Sequence, residues 1–202
     1  MIFNSFLRVI SAGFASAMVG ACTMVPGSTL LAMNRIDPLS VDPGDITVAV
    51  RAPLGYDLDD GRVVFSLALL NKETGEEIEV AEAMTLQDGA IDPALLQREK
   101  PGTRIWVFSV TPEQRDAIVA ARETALAWET TGDQSRQMSI AVGALPCLAP
   151  GANPFQEPKY TIFMKSIPDG DWMTLVRESN FEDLARAANM EPFEIVPCES
   201  AP

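Results

Sequence analysis

Cys22, Cys147 and Cys198 are the most reactive side chains in this chain of 202 residues, which contains no histidine. That absence rules out Ser-His-Asp and Cys-His nucleophiles, imidazole-held metals and the usual proton shuttle at neutral pH. Chemistry would have to come from thiols or carboxylates. Cys147 and Cys198 stand 51 residues apart, with no Cys-x-x-Cys spacing and no adjacent basic residue to lower a thiol pKa. In an exported chain such a pair is expected to form a structural disulfide. Closing a loop of that length stabilises a fold by ~4 kcal/mol in the chain-entropy account.

The carboxylates offer less. Glu76, Glu77, Glu79 and Glu82 form a linear run, which cannot show the two facing groups that glycoside hydrolysis needs. They suit a solvated strand edge that discourages aggregation. Asp57-Leu58-Asp59-Asp60-Gly61 opens like a calcium loop, but its glycine falls fifth instead of sixth. The twelfth position is Ala68 where a bidentate glutamate belongs, so a solvated turn is expected. Lys159, Lys165 and Ser166 make no Ser-x-x-Lys motif, and neither a Gly-x-Ser-x-Gly elbow nor a phosphate-cradling glycine loop occurs. No catalytic residue, metal ligand or cofactor is assigned. The net charge of -13 also disfavours nucleic acid as a partner.

The N-terminus carries the strongest signal. Met1 to Ala21 has one charge, Arg8, then an apolar run through Val19 and a small-residue exit at Gly20 and Ala21. This is the layout of a secretory signal, and the run is too short for a spanning helix, which needs roughly 20 apolar residues. Val19-Gly20-Ala21-Cys22 resembles the lipobox of bacterial envelope lipoproteins. The resemblance implies cleavage between Ala21 and Cys22, a thioether-linked diacylglyceryl group on Cys22 and an acylated amine. An ordinary signal peptide cut after the same Ala21 is the alternative. Assigning Cys22 to lipid leaves the other two cysteines as an even pair. In a Gram-negative envelope, Thr23 after the cysteine implies the periplasmic face of the outer membrane. Loss of Arg8 makes the mature chain still more acidic, so covalent lipid and not charge would hold it to the membrane.

These features divide the chain into a signal peptide (1–21), a lipidated tether (22–28) and one globular periplasmic domain (29–202). A short helix over Thr29 to Ile36 is expected, stopped before Asp37-Pro38. Ile46, Val48 and Val50 alternate as in a half-buried strand, and Arg62 to Leu70 is apolar on both faces, as in a central one. Glu76 to Met84 is the expected exposed edge, and Asp92-Pro93 opens a one-turn helix through Gln97. Thr103 to Val110 is rich in aromatic and branched residues and runs into the capping box Thr111-Pro112-Glu113-Gln114. The helix so opened continues to about Thr130, with Ala117, Ile118, Ala121, Ala125 and Trp128 on its buried stripe. Strands follow over Gln137 to Leu145 and Tyr160 to Ile167, the latter turned by Pro168-Asp169-Gly170 into Asp171 to Arg177. Asn180 caps a last helix, Phe181 to Asn189.

The pattern predicts an α+β fold, a mostly antiparallel sheet with one long helix packed on it, with a β-sandwich holding an inserted helix as the alternative. Pro146, Pro150, Pro154 and Pro158 stiffen a surface excursion of about 13 residues. Phe155 at its middle is a candidate partner contact, or a cover for the end of the core. Trp106, Trp128 and Trp172 are expected to share a core instead of forming a ligand cage. The expected role is non-catalytic contact with another envelope component. A periplasmic module binding a small ligand is the alternative, and a carboxylate-based hydrolase ranks below both. A pocket lined by tryptophan and carboxylates would favour the ligand, two carboxyl groups facing across a cleft the hydrolase, and a filled core with no cavity the contact role.

Overall fold

The computed structural model describes residues 41–59, 62–128, 135–153, 159–168, 170–180 and 195–198. Its strands are β1 (Thr47–Pro53), β2 (Tyr56–Asp57), β3 (Val63–Asn71), β4 (Glu77–Leu86), β5 (Thr103–Ser109), β6 (Arg136–Ala144), β7 (Cys147–Leu148), β8 (Tyr160–Lys165) and β9 (Met173–Ser179). The helices are α1 (Pro93–Leu96) and α2 (Pro112–Ala127). Seven strands form one antiparallel sheet in the order β6-β3-β4-β5-β1-β8-β9, and β2 pairs with β7 separately. The expected α+β class, with one long helix on a mostly antiparallel sheet, is the observed one.

Period-two alternation explains which face each strand buries. On β3, Val63, Phe65, Leu67 and Leu69 point inward with Met84 of β4 and Ala144 of β6. On the other half of the sheet, Val48 and Val50 of β1, Trp106 and Phe108 of β5, and Ile162 of β8 join the same core. The two halves meet only through β4. Its residues Glu77 to Met84 pair with β3, and Thr85 and Leu86 alone pair with β5. One strand that changes partner lets the sheet curl around its core.

Helix α2 closes the curl. Thr111 Oγ1 accepts from Gln114 N–H at 3.3 Å and Gln114 Oε1 accepts from Thr111 N–H at 2.8 Å, which is the capping box expected from sequence. Gln114 also donates through Nε2 to the Ala83 carbonyl, fixing the helix to β4. At the other end, Arg136 Nη2 donates to the Trp128 carbonyl at 2.6 Å, satisfying a helix-terminal acceptor with a cation. Ile118, Ala121 and Ala125 are buried, and the small alanines allow close approach to β3 and β4.

A second, smaller core lies on the opposite face of the sheet. Strand β1 is buried on both faces, so Ala49 and Arg51 are covered too. Residues 87–102 cross over them, and α1 inserts Leu95 among Ala49, Ile105, Phe163 and Trp172. Asp92 caps α1 by accepting from Ala94 N–H at 2.9 Å, as its position before Pro93 predicts.

Several expectations change. β3 is central but buries one face only, the other being half-exposed. β4 sits inside the sheet order and is no edge, although its Glu77 and Glu79 remain exposed. The proline-rich excursion contains β7, whose two residues pair with β2. The last hairpin forms, with β9 running two residues beyond its predicted end. Trp106 and Trp128 share the main core, whereas Trp172 belongs to the second one, because it enters from the opposite face. The signal peptide, the tether with Cys22, the helices expected at 29–36 and 181–189, and Phe155 all lie outside the described residues.

Candidate functional site

The second core is incomplete, and its unfilled side is a cleft of about 520 Å³. The cleft opens where β4 leaves β5. Gln87 N–H makes a last ladder bond to the Val107 carbonyl at 2.8 Å, and the chain then swings over the sheet through Asp88, Gly89, Ala90 and Ile91. Ile91, Leu95, Ile105 and Val107 supply apolar wall, and Trp172 and Lys165 close the far end.

A polar knot frames that end. Asp92 Oδ2 accepts from the Trp172 indole N–H at 3.0 Å and from Lys165 Nζ at 3.3 Å, while Oδ1 caps α1. The ammonium also lies 5.0 Å from the centroid of the Trp172 ring. The indole bond first, then the Ala94 N–H and the ammonium, hold the Asp92 carboxyl below the ordinary carboxylate range. This carboxylate is therefore anionic at neutral pH and already has a donor for each oxygen. Its geometry orients an indole and an ammonium; it does not present a free acid to a substrate.

At the other end of the same face lies Arg51, buried at 8% exposure. Its guanidinium donates to Thr161 Oγ1 at 2.9 Å and to the Arg98 carbonyl at 2.5 Å, and lies 3.6 Å from Glu178. Arg51 and Arg98 both approach the Phe163 ring, at 5.7 and 5.3 Å from its centroid. Burial lowers the Arg51 pKa and Glu178 opposes that shift. Glu178 is in turn held low, first by its hydrogen bond from Lys100. Glu178 has a φ of 48°, a left-handed backbone within the irregular β8–β9 pairing. Arg51 thus binds the crossing segment to the sheet.

The residues singled out from sequence fall elsewhere. Cys147 and Cys198 lie with their sulfurs at bonding distance and their Cα atoms 4.7 Å apart. The pair fastens the C-terminal residues to β7, beside the Leu148 N–H to Val196 carbonyl bond of 2.9 Å. In the turn expected at Asp57 to Gly61, Asp57 and Asp59 make structural bonds, while Asp60 and Gly61 lie outside the described residues. Asp57 Oδ1 accepts from the Trp106 indole at 3.2 Å and from Leu58 N–H at 3.0 Å, and Asp59 pairs with Arg62 at 3.6 Å. The Glu run stays on β4, away from the cleft. Sequence reading missed Asp92, Lys165 and Trp172 as a group, since they are up to 80 residues apart. Asp92 was visible only as a cap.

Among the described residues no helix is long and apolar enough to cross a membrane, and no three His, Cys, Asp or Glu side chains gather as a metal site. No family model matches the chain, and no curated protein or solved structure matches it either.

Proposed function

We propose that this chain is an envelope lipoprotein, held by lipid on Cys22 to the periplasmic face of the outer membrane, which acts without catalysis by contact with another envelope component. The contact is made in the cleft between residues 86–92 and β5. The observation that carries this reading is the cleft itself: about 520 Å³, of mixed polar and apolar lining, with a rigid indole at one end. That size lies within the range of about 300–1,000 Å³ typical of binding sites. The half-exposed Asp92 carboxylate is spent on Trp172, Lys165 and α1, which suits a preorganised binding wall better than acid–base work. A small ligand is the second reading, favoured by the Trp172 and Asp92 lining.

The test places a photo-crosslinking amino acid at Ala90, exposed on the rim of the cleft, or at Ala120, exposed on α2. Irradiation of the full chain in its native envelope should yield a protein adduct from position 90 and not from 120. Equal adducts from both positions, or none from 90, would refute the cleft as the contact site. The anchor is tested separately: a Cys22→Ser chain should leave the membrane pellet and take up no labelled palmitate.

A further inference from the structure

We propose that the cleft receives an extended segment of a partner protein, which adds to the free edge of β5 as an extra strand. This inference rests on the cleft being the contact site and names what enters it. Two hydrogen bonds fix the direction of every peptide group on β5. The Leu54 N–H donates to the Gly102 carbonyl, so even-numbered groups face β1; the Gln87 N–H donates to the Val107 carbonyl, so odd-numbered groups face the other way. Peptide directions alternate along a strand. The N–H and C=O of Ile105 therefore point into the cleft. β4 would be their neighbour, but it has left the sheet two residues earlier, and no other described residue bonds to them.

Ile105 is only 3% exposed, so these two polar groups are buried at the cleft wall. Buried peptide groups are almost always paired. A partner main chain offers both a donor and an acceptor at the right spacing, which is the basis of strand addition. The open stretch is short: Arg104 and Trp106 turn their peptide groups to β1 and the Thr103 N–H donates to the Lys100 carbonyl at 3.0 Å, so the contact is a single residue pair centred on Ile105. Charge agrees with this occupant. The lining carries Lys165 and Arg104 against Asp88 and Asp92, so it is balanced and matches an uncharged main chain. The residue opposite Ile105 would share its face, beside Ile91, Leu95 and Val107, and so is apolar.

The probe is acetyl-Thr-Val-Thr-Val-Thr-amide, added to the full chain in lipid nanodiscs. Two versions are N-methylated, one on the valines and one on the threonines. Valine opposite Ile105 exchanges both hydrogen bonds with it, whereas the threonine amides face away. The parent and threonine-methylated peptides should slow exchange of the Ile105 amide at least tenfold, and the valine-methylated peptide should not. An Ile105→Pro chain loses the donor that β1 does not use, together with the buried Ile105 side chain, and should lose this binding if its melting point stays near the parent's. Should it unfold, the methylated peptides still decide. If all three peptides shift Trp172 fluorescence alike without protecting Ile105, strand addition is wrong and the cleft reading survives. The same holds if no peptide binds but an uncharged apolar dye does. If neither peptide nor dye perturbs Trp172, both readings fall.

Discussion

Removing the bridge between Cys147 and Cys198 tests how the C-terminal residues contribute to the whole fold. The loop it closes is 51 residues long. Loop-closure entropy of about 14 cal/mol/K for that length corresponds to ~4 kcal/mol at 25 °C. Cys147 is fully buried, so alanine is the better replacement, since serine would bury an unpartnered hydroxyl. For a chain of this size each kcal/mol moves the melting point by about 2–4 °C, so the Cys147→Ala/Cys198→Ala protein should melt about 8–16 °C below the parent. Circular dichroism of both full chains at one protein concentration measures this. The loop runs through β8 and β9, which form one end of the sheet, so the constraint spans core strands. A shift under about 2 °C, with limited proteolysis trimming only residues beyond Asn180, would refute the reasoning. The bridge would then pin a tail and leave the domain's unfolded ensemble almost unrestrained.

Asp92→Ala removes a helix cap and the shared acceptor of Trp172 and Lys165; it should cost about 1–2 kcal/mol in urea unfolding and shift Trp172 emission, while Asp92→Asn retains most of the cap. Arg51→Ala should cost about 3 kcal/mol, because it empties a buried site and strips partners from the Arg98 carbonyl and Thr161. A cost below about 1 kcal/mol in the same assay would mean that the crossing segment does not need it. Asp92 and Glu178 have folded pKa values below their unfolded ones, so their stabilisation is complete above the unfolded values and is lost as pH falls through the folded ones. Melting points should decline below about pH 4. An Asp92→Asn/Glu178→Gln chain should show a shallower decline.

Local chemistry made the elements legible. Alternation at Ile46, Val48 and Val50 marks the start of β1, and Thr111-Pro112-Glu113-Gln114 marks the start of α2 to the residue. Asp92-Pro93 likewise marks α1. Neighbour choice was not legible, because side-chain period says which face is buried and not which strand lies alongside. The carboxylates of β4 suggested an edge, yet Thr85 and Leu86 at its far end hold β5. Trp172 has the composition of any core aromatic. Its place in the cleft depends on Asp92, which the crossing segment carries over the sheet. The vacancy beside Ile105 exists only because β4 ends its pairing early, a property of two strands and a loop that no single segment contains.

The way α2 holds Val41 and Asp42 bears on mechanics. Arg122 donates to the Val41 carbonyl, and Arg115 grips Asp42 at 2.7 Å. Among the described residues, tension arriving along the chain from the N-terminal side would meet these two arginines first and drag the helix lengthwise against the sheet. One ion pair and one hydrogen bond, loaded in shear, would have to yield before any ladder bond is stretched. The cleft, across the sheet from α2, would be insulated from such pulling.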